Sequence, residues 1–220
     1  MARVTRTSEG LSPQLHEYLV AHGARPDPVL QALADETAAM GDLARLQIAP
    51  EQGAFLTMLT RLVGARRAVE VGTFTGYSSI CIARGLVEGG RLLCCDVSRE
   101  WTDIARRYWA QAGVSDRIDL ALAPAAQTLQ ALPEDEPIDF AFIDADKEGY
   151  PEYWEQVVKR MRPGGLVVVD NVLASGRVLD PEATGSAAAI RAFNAMVLDD
   201  DRVDLVMIPV ADGLTLGLRR

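Results

Sequence analysis

From Arg67 onward the chain alternates short apolar runs with helix-length segments, and that alternation leaves few folds open. Strands are expected at Ala68–Val71, Arg91–Asp96, Arg117–Ala121, Ile138–Asp144 and Leu166–Asp170. Helices are expected at about Tyr77–Val87, Arg99–Ala112, Ala125–Leu132 and Pro151–Met161. Strand–helix–strand repeats form right-handed crossovers, hence a parallel sheet covered on both faces. Two last runs, Val203–Pro209 and Gly213–Leu218, have no room for a helix between them. Joined through the turn residues Asp212-Gly213, they are expected as antiparallel neighbours at the sheet edge.

The first 65 residues have a different texture. Ser12-Pro13 pairs a capping serine with a proline at the first helical position, and Gly23 closes that helix. Asp27-Pro28 repeats the signal, with Leu30, Leu33, Thr37 and Met40 leading to Gly41. A third helix is expected from Pro50 to Gly64, with Phe55, Leu56, Leu59, Leu62 and Val63 on one stripe. With 220 residues, 49% of them hydrophobic, the chain suits one domain. Residues 1–65 would form a helical cap and dimerisation region on a core at 66–220. The expected fold is α/β: a Rossmann-like doubly wound sheet, mostly parallel with an antiparallel edge strand, preceded by amino-terminal helices.

A net charge of −9 is the wrong sign for a phosphate backbone or an anionic membrane surface. No apolar run of 18 residues exists to span a bilayer, and Met1–Arg6 lacks the apolar segment of a signal peptide. The three cysteines, Cys81, Cys94 and Cys95, lack metal-ligand spacing and read as reduced thiols of a cytoplasmic protein.

Open sheets of this kind bind ligands beyond the carboxyl ends of their strands. The first strand runs into Glu70-Val71-Gly72-Thr73-Phe74-Thr75-Gly76-Tyr77-Ser78, whose glycines let backbone approach a ligand. A carboxylate at Glu70 stands where a pyrophosphate-binding fingerprint would begin; it would repel phosphate and welcome an ammonium or a sulfonium. Asp96 ends the second strand, 20 residues after Gly76, where an acid either takes ribose hydroxyls or caps the next helix beside Ser98. Ala123-Pro124-Ala125 after the third strand offers small residues to a flat adenine edge, or simply starts a helix.

The fourth and fifth strands end in Asp144-Ala145-Asp146-Lys147 and Asp170-Asn171. As neighbours their tips would lie about 5 Å apart. Asp144, Asp170 and Asn171 would then converge, and two carboxylates so close require a proton or a cation. An all-oxygen set suits magnesium, manganese or calcium rather than zinc. Asp146 is expected to point away as a surface or capping acid. Lys147 either pairs with Glu148 on an exposed loop or, beside two strand-end acids, serves as a base. His16 and His22 lie far from these motifs and need no function.

Together these residues resemble the cation-dependent small-molecule O-methyltransferases, the family of catechol and caffeoyl-coenzyme A O-methyltransferases. The similarity runs from about Gln47 to Asp212. It is carried by Pro50-Glu51-Gln52-Gly53, the Glu70–Ser78 turn, Tyr108-Trp109 with Ala112-Gly113, Asp144–Lys147, Gly164-Gly165 and Asp170-Asn171. The resemblance implies that S-adenosylmethionine is held by Glu70, Gly72, Ser78 and Asp96, with Thr73 and Phe74 of the same turn, Ile48, Ala125 and Asp144. It also implies a divalent metal on Asp144, Asp170 and Asn171, catalysis by Lys147 with Asp144, a small aromatic acceptor with vicinal hydroxyls, and a homodimer. The acceptor would be covered by the amino-terminal helices and the loop Leu173–Ser186. Two positions depart from the family pattern. Ala174 follows Asn171-Val172-Leu173 where an aromatic is common, which alters the acceptor pocket, and Ala123 replaces a common glycine near adenine.

Two alternatives compete. A nicotinamide-dependent oxidoreductase would need a third glycine and no acid at Glu70, and would leave Asp144, Asp170 and Asn171 unexplained. A catalytically silent cofactor-binding module would not need Lys147.

Overall fold

The computed structural model describes residues 11–220; the expectation for Met1–Arg6 lies outside them. Three helices come first: α1 (Pro13–Gly23), α2 (Pro28–Ala38) and α3 (Pro50–Val63). Each has proline in its first turn, and Ser12 and Asp27 cap the first two by accepting backbone N–H bonds. The second helix stops at Ala38, short of the expected Gly41, and a 3-10 turn over Gly41–Leu46 leads into α3.

The core continues as β1 (Arg67–Val71), α4 (Tyr77–Gly85), β2 (Arg91–Asp96), α5 (Arg99–Gln111), β3 (Ile118–Leu122), α6 (Ala125–Gln130), β4 (Ile138–Ile143), α7 (Tyr150–Val158), β5 (Met161–Asp170), α8 (Ser186–Leu198), β6 (Val203–Ile208) and β7 (Leu214–Arg219). The seven strands form one sheet in the order β3-β2-β1-β4-β5-β7-β6. Strands β1 to β5 pair in parallel, whereas β7 runs antiparallel to both β5 and β6. The mostly parallel sheet with an antiparallel edge is therefore present, with β7 inserted between β5 and the outermost strand. Strand order reverses between β1 and β4, which makes their carboxyl ends the expected ligand crevice.

Period-two alternation builds a core on each face of the sheet. Phe140 and Phe142 of β4 and Leu166 and Val168 of β5 pack with Leu56 and Ile80 of α3 and α4. Ala141, Ile143, Val167 and Val169 pack with Tyr150, Trp154 and Phe193 on the other side. Leu62 does not join the buried stripe of α3: it is 76% exposed. The buried face is instead Gln52, Gly53, Leu56 and Thr60, because Gly53 allows the Tyr77 ring and Cys81 to approach closely.

Helix α8 is an element that the strand-and-helix pattern left unassigned. Ala187, Ile190, Phe193 and Val197 are its buried residues, a spacing that marks a helical face. Helix α1 buries no residue, but His16 meets Glu51 at 3.0 Å and ties it to α3. His22 Nδ1 lies 2.7 Å from the Tyr18 carbonyl, so both histidines are accounted for away from the strand tips.

Candidate active site

Two hydrogen bonds beyond the regular ladder bring the strand tips together. Gly72 N–H donates to the Cys95 carbonyl at 2.9 Å, and Asp144 N–H to the Val71 carbonyl at 2.8 Å. The glycine turn after β1 therefore lies directly against Asp144 at the end of β4. Gly72 has a φ of +91°, and a Cβ there would stand 2.7 Å from the Asp144 carbonyl carbon, closer still to its oxygen. Gly76 is also left-handed, at φ +92°, with Ala105 and Trp109 where a side chain would go.

Above these tips lies a cavity of about 1060 Å³, at the upper end of the range for small-molecule sites. Eight of the nine candidate cofactor residues line it: Ile48, Gly72, Thr73, Phe74, Ser78, Asp96, Ala125 and Asp144. Lys147, Asp170 and Asn171 line it as well. Among the described residues, the five non-glycine positions with left-handed backbone are Phe74, Asn171, Ala174, Ser175 and Ala211, and all five are on its wall. Strain of this kind persists where surrounding structure enforces it, and it concentrates at ligand sites.

Glu70 is the exception. Its carboxyl is fully buried, beneath the turn rather than on the cavity wall, and Cys94 Sγ donates to it at 3.2 Å. Burial pushes its pKa up to about 8, against the opposing influence of Ser78, Cys94 and Thr73. The expected fixed negative charge is thus corrected to an acid held largely protonated at neutral pH in the ligand-free fold. In the unfolded chain this carboxyl titrates near 4.5. Its contribution to stability is complete below that pH and is lost as pH rises through about 8. Glu70→Gln is expected to flatten the fall in melting temperature of the cofactor-free protein between roughly pH 5 and 8, an effect on the order of several kcal/mol. Parallel profiles for the variant and wild type would contradict this assignment.

Asp96 braces the start of the next helix at Ser98, the second of the two roles offered by the sequence, and also lies on the cavity wall. Its Oδ2 accepts from Thr73 and Phe74 N–H at 2.9 Å each, and its Oδ1 from Ser98 N–H at 2.8 Å. A carboxylate has about four acceptor positions, so three bonds brace the glycine turn and the next helix while leaving about one position free. Phe74 packs edge-on against Trp101 at 5.1 Å between ring centroids, giving this end of the cavity an aromatic wall. Gln47 Oε1, Thr73 Oγ1 and Glu70 Oε1 are buried without a hydrogen-bond partner among the described residues. Gln47 and Thr73 face the cavity, where a polar ligand would satisfy them.

At the other end Lys147 sits among oxygens. Its ammonium donates to Asp144 Oδ1 at 3.0 Å, to Tyr150 Oη at 2.6 Å and to Asn171 Oδ1 at 2.7 Å, which uses all three protons. The surface pair with Glu148 is not formed. Tyr150 in turn donates to the Asp170 carbonyl at 3.1 Å. Asp170 is buried beside Asp144, as the β4–β5 register requires, and burial together with that neighbouring charge raises its pKa. Its Oδ2 accepts from Gln52 Nε2 at 2.7 Å and its Oδ1 from Asn171 N–H at 2.6 Å. Asp146, expected to point away, instead lines the cavity, where it accepts from Tyr153 Oη at 2.6 Å.

Gln52 and Tyr150 were not singled out from the sequence as site residues. Gln52 sits inside the Pro50–Gly53 motif, so a signal was present; Tyr150 lies three residues after Lys147, one helical turn on, and that spacing was its signal. Among the described residues no group of three or more His, Cys, Asp or Glu is placed to hold a metal. The candidate set consists instead of two carboxylates and one amide oxygen.

A Rossmann-like sheet thus carries a large cavity at its switch point with an acid–lysine cluster beside it, the setting of a small-molecule enzyme site. Residues 21–220 match the family model described as O-methyltransferase. The chain is 44% identical over 171 residues to "Probable caffeoyl-CoA O-methyltransferase 1" of Dictyostelium discoideum, covering 76% of this chain and 74% of that one. The O-methyltransferase TomG from Streptomyces achromogenes, solved in complex with SAM, superposes with a TM-score of 0.86 at 34% identity, over 94% of this chain and 96% of that one. The O-methyltransferase from Bacillus cereus in complex with SAH gives 0.85 at 33%, over 94% and 97%. The chain belongs to the O-methyltransferase family, and a nicotinamide-dependent oxidoreductase is thereby set aside. Among the described residues no helix is long and apolar enough to cross a membrane.

Proposed function

We propose that the chain moves a methyl group from S-adenosylmethionine to one hydroxyl of a small aromatic with vicinal hydroxyls, with a divalent cation held by Asp144, Asp170 and Asn171. The observation that carries this is the cluster at the β4 and β5 tips: Lys147 hydrogen-bonded to Asp144 and Asn171, with Asp170 buried beside them, next to the glycine turn. The oxygen donors fit a hard cation, magnesium before manganese or calcium. Asp144 and Asp170 crowd two negative charges into a buried spot, and the Lys147 ammonium among them reflects the set's demand for positive charge. The unpartnered oxygens of Gln47 and Thr73, which line the cavity, fit a polar cofactor.

The cofactor supplies an electrophilic methyl carbon on a sulfonium. The metal, when bound, makes a phenolic hydroxyl more acidic. The remaining work falls to side chains of this chain. The turn Gly72–Phe74, braced by Asp96, positions the donor, with Ile48, Ser78 and Ala125 around it. Lys147 Nζ, as the neutral amine with one of its three donations given up, would take the phenolic proton, with Tyr150 and Asn171 keeping it aimed at the acceptor. Alignment of the oxyanion with the methyl carbon is the main contribution, for which good positioning supplies roughly 7–11 kcal/mol.

A homodimer in the cytoplasm is inferred as well. Its support is the exposed apolar surface on α1 and α3, at Leu15, Tyr18, Met58 and Leu62, and three buried free thiols. The substrate assignment is tested with methyl-labelled cofactor and a panel of phenols. Vicinal diols are expected to be methylated and their single-hydroxyl analogues to lag by about a hundredfold or more, the order of effect when a chelating contact is lost. Equal turnover of both sets would refute the vicinal-diol assignment.

A further inference from the structure

Helix α3 opens with Pro50-Glu51-Gln52-Gly53, and this first turn touches both halves of the site. Gly53 lies so close to α4 that a Cβ there would meet the Tyr77 ring at 2.8 Å and Cys81 Sγ at 2.9 Å. The same helix α4 carries Ser78 into the cofactor end of the cavity. One residue before Gly53, Gln52 is only 1% exposed, and its Nε2 reaches across to β5 to donate to Asp170 Oδ2 at 2.7 Å. Burying an amide is costly unless it is hydrogen-bonded, so this carboxylate is what holds Gln52 in place.

The three candidate metal ligands are not held alike. Asp144 and Asn171 both accept from Lys147, an ammonium that competes with any cation for the same oxygens. The backbone beyond Asn171 is pinned from the β6–β7 hairpin. Leu173 N–H donates to the Asp212 carbonyl at 3.0 Å, and Asp212 Oδ1 accepts from Ser175 N–H at 2.7 Å. The protons of Lys147 are spent elsewhere, and both donors to the Asp170 carboxyl are neutral: Asn171 N–H on Oδ1 and Gln52 on Oδ2. Neutral donors fix the plane of a carboxylate without cancelling its charge. Of about four acceptor positions, two then remain for a cation.

We propose that Gln52 is a positioning residue for the cation site: it reaches from the amino-terminal helical region to hold the Asp170 carboxylate in the plane it has here. This rests on the cation proposed above. Residues 1–65 then complete the site as well as covering it. Partners of this kind touch a ligand and not the ion, and their loss costs about 10–100-fold in metal affinity.

The test titrates Mn2+ into the full-length wild type, Gln52→Met and Gln52→Ala, with the free ion read by electron paramagnetic resonance. Methionine fills the same space without a donor, whereas alanine opens room for a cavity water to donate instead. Affinity for Mn2+ is expected to fall about tenfold or more in Gln52→Met, and less in Gln52→Ala. The magnesium needed for half-maximal transfer to catechol should rise in the same order, with the KM for S-adenosylmethionine unchanged. Lost packing alone predicts the reverse order, because alanine leaves the larger void. A metal-free thermal shift with S-adenosylhomocysteine equal to wild type shows that a variant is folded. Mn2+ affinity equal to wild type in both variants, or in the one that folds, overturns the positioning role alone, as does a greater loss in Gln52→Ala than in Gln52→Met. A wild type that takes up no Mn2+ overturns the cation site and this role with it.

Discussion

Asp170→Asn is expected to reduce methyl transfer about a thousandfold or more while leaving the metal-free protein as stable as wild type, or more so. The two effects have one cause. Asp170 is buried next to Asp144, and its ionised form suffers both from lost hydration and from that neighbour. An asparagine keeps one oxygen for the Asn171 N–H, its NH2 can donate to Gln52 once that amide turns over, and the repulsion is removed. Stability therefore gains or holds. What is lost is half of the negative charge that would hold the proposed divalent cation, and each 1.36 kcal/mol of transition-state stabilisation forfeited costs tenfold in rate. A group retained at the expense of the fold it sits in marks a functional site. Activity assays and thermal melts on the same preparation check both halves. A variant of near wild-type activity, or one that is inactive because it is unfolded, would contradict the assignment.

Gly72→Ala is expected to be the most damaging single-methyl change in the core, at about 3–5 kcal/mol and roughly 10 °C in melting temperature. The new methyl would be driven into the Asp144 carbonyl, which cannot retreat. Asp144 N–H is bonded to Val71, and Gly72 N–H to Cys95, so any shift breaks ladder bonds on both sides of β1. The left-handed backbone at φ +91° adds strain of its own for any residue with a Cβ. Opening this junction separates the cofactor turn from the acid cluster, so binding of S-adenosylhomocysteine should also be lost. Gly113→Ala is the control: its φ is +66°, but nothing lies within 4 Å of the added methyl, and only the strain of about 1 kcal/mol remains. Calorimetric unfolding of the two variants separates the cases, and equal losses would refute the steric account.

The sequence exposed what depends on period and on strand ends. Unbroken apolar runs at Phe140–Ile143 and Val167–Val169 predicted strands buried on both faces, and the pairing of β4 with β5 puts Asp144 beside Asp170. Side-chain direction was less legible. Glu70 points beneath the turn and not into the cavity, because β1 at the sheet centre buries both of its faces. Leu62 fits the apolar stripe of α3 but lies outside the packed face that Gly53 creates against α4. Helix α8 had a readable apolar spacing at Ala187, Ile190, Phe193 and Val197, overlooked behind a Gly- and Pro-containing loop. The roles of Gln52 and Asp212 depend on contacts over long sequence separations, up to 118 residues for Gln52 with Asp170, and no local pattern encodes those.

The account's weight falls on a divalent cation at the β4 and β5 tips, and chelation probes it directly. Methyl transfer to a vicinal diol is followed with labelled cofactor before and after EDTA treatment, then after magnesium is restored. Transfer should fall to background with chelator and return with magnesium in the wild type, with no such recovery in Asp170→Asn. Turnover that persists undiminished in EDTA would contradict it.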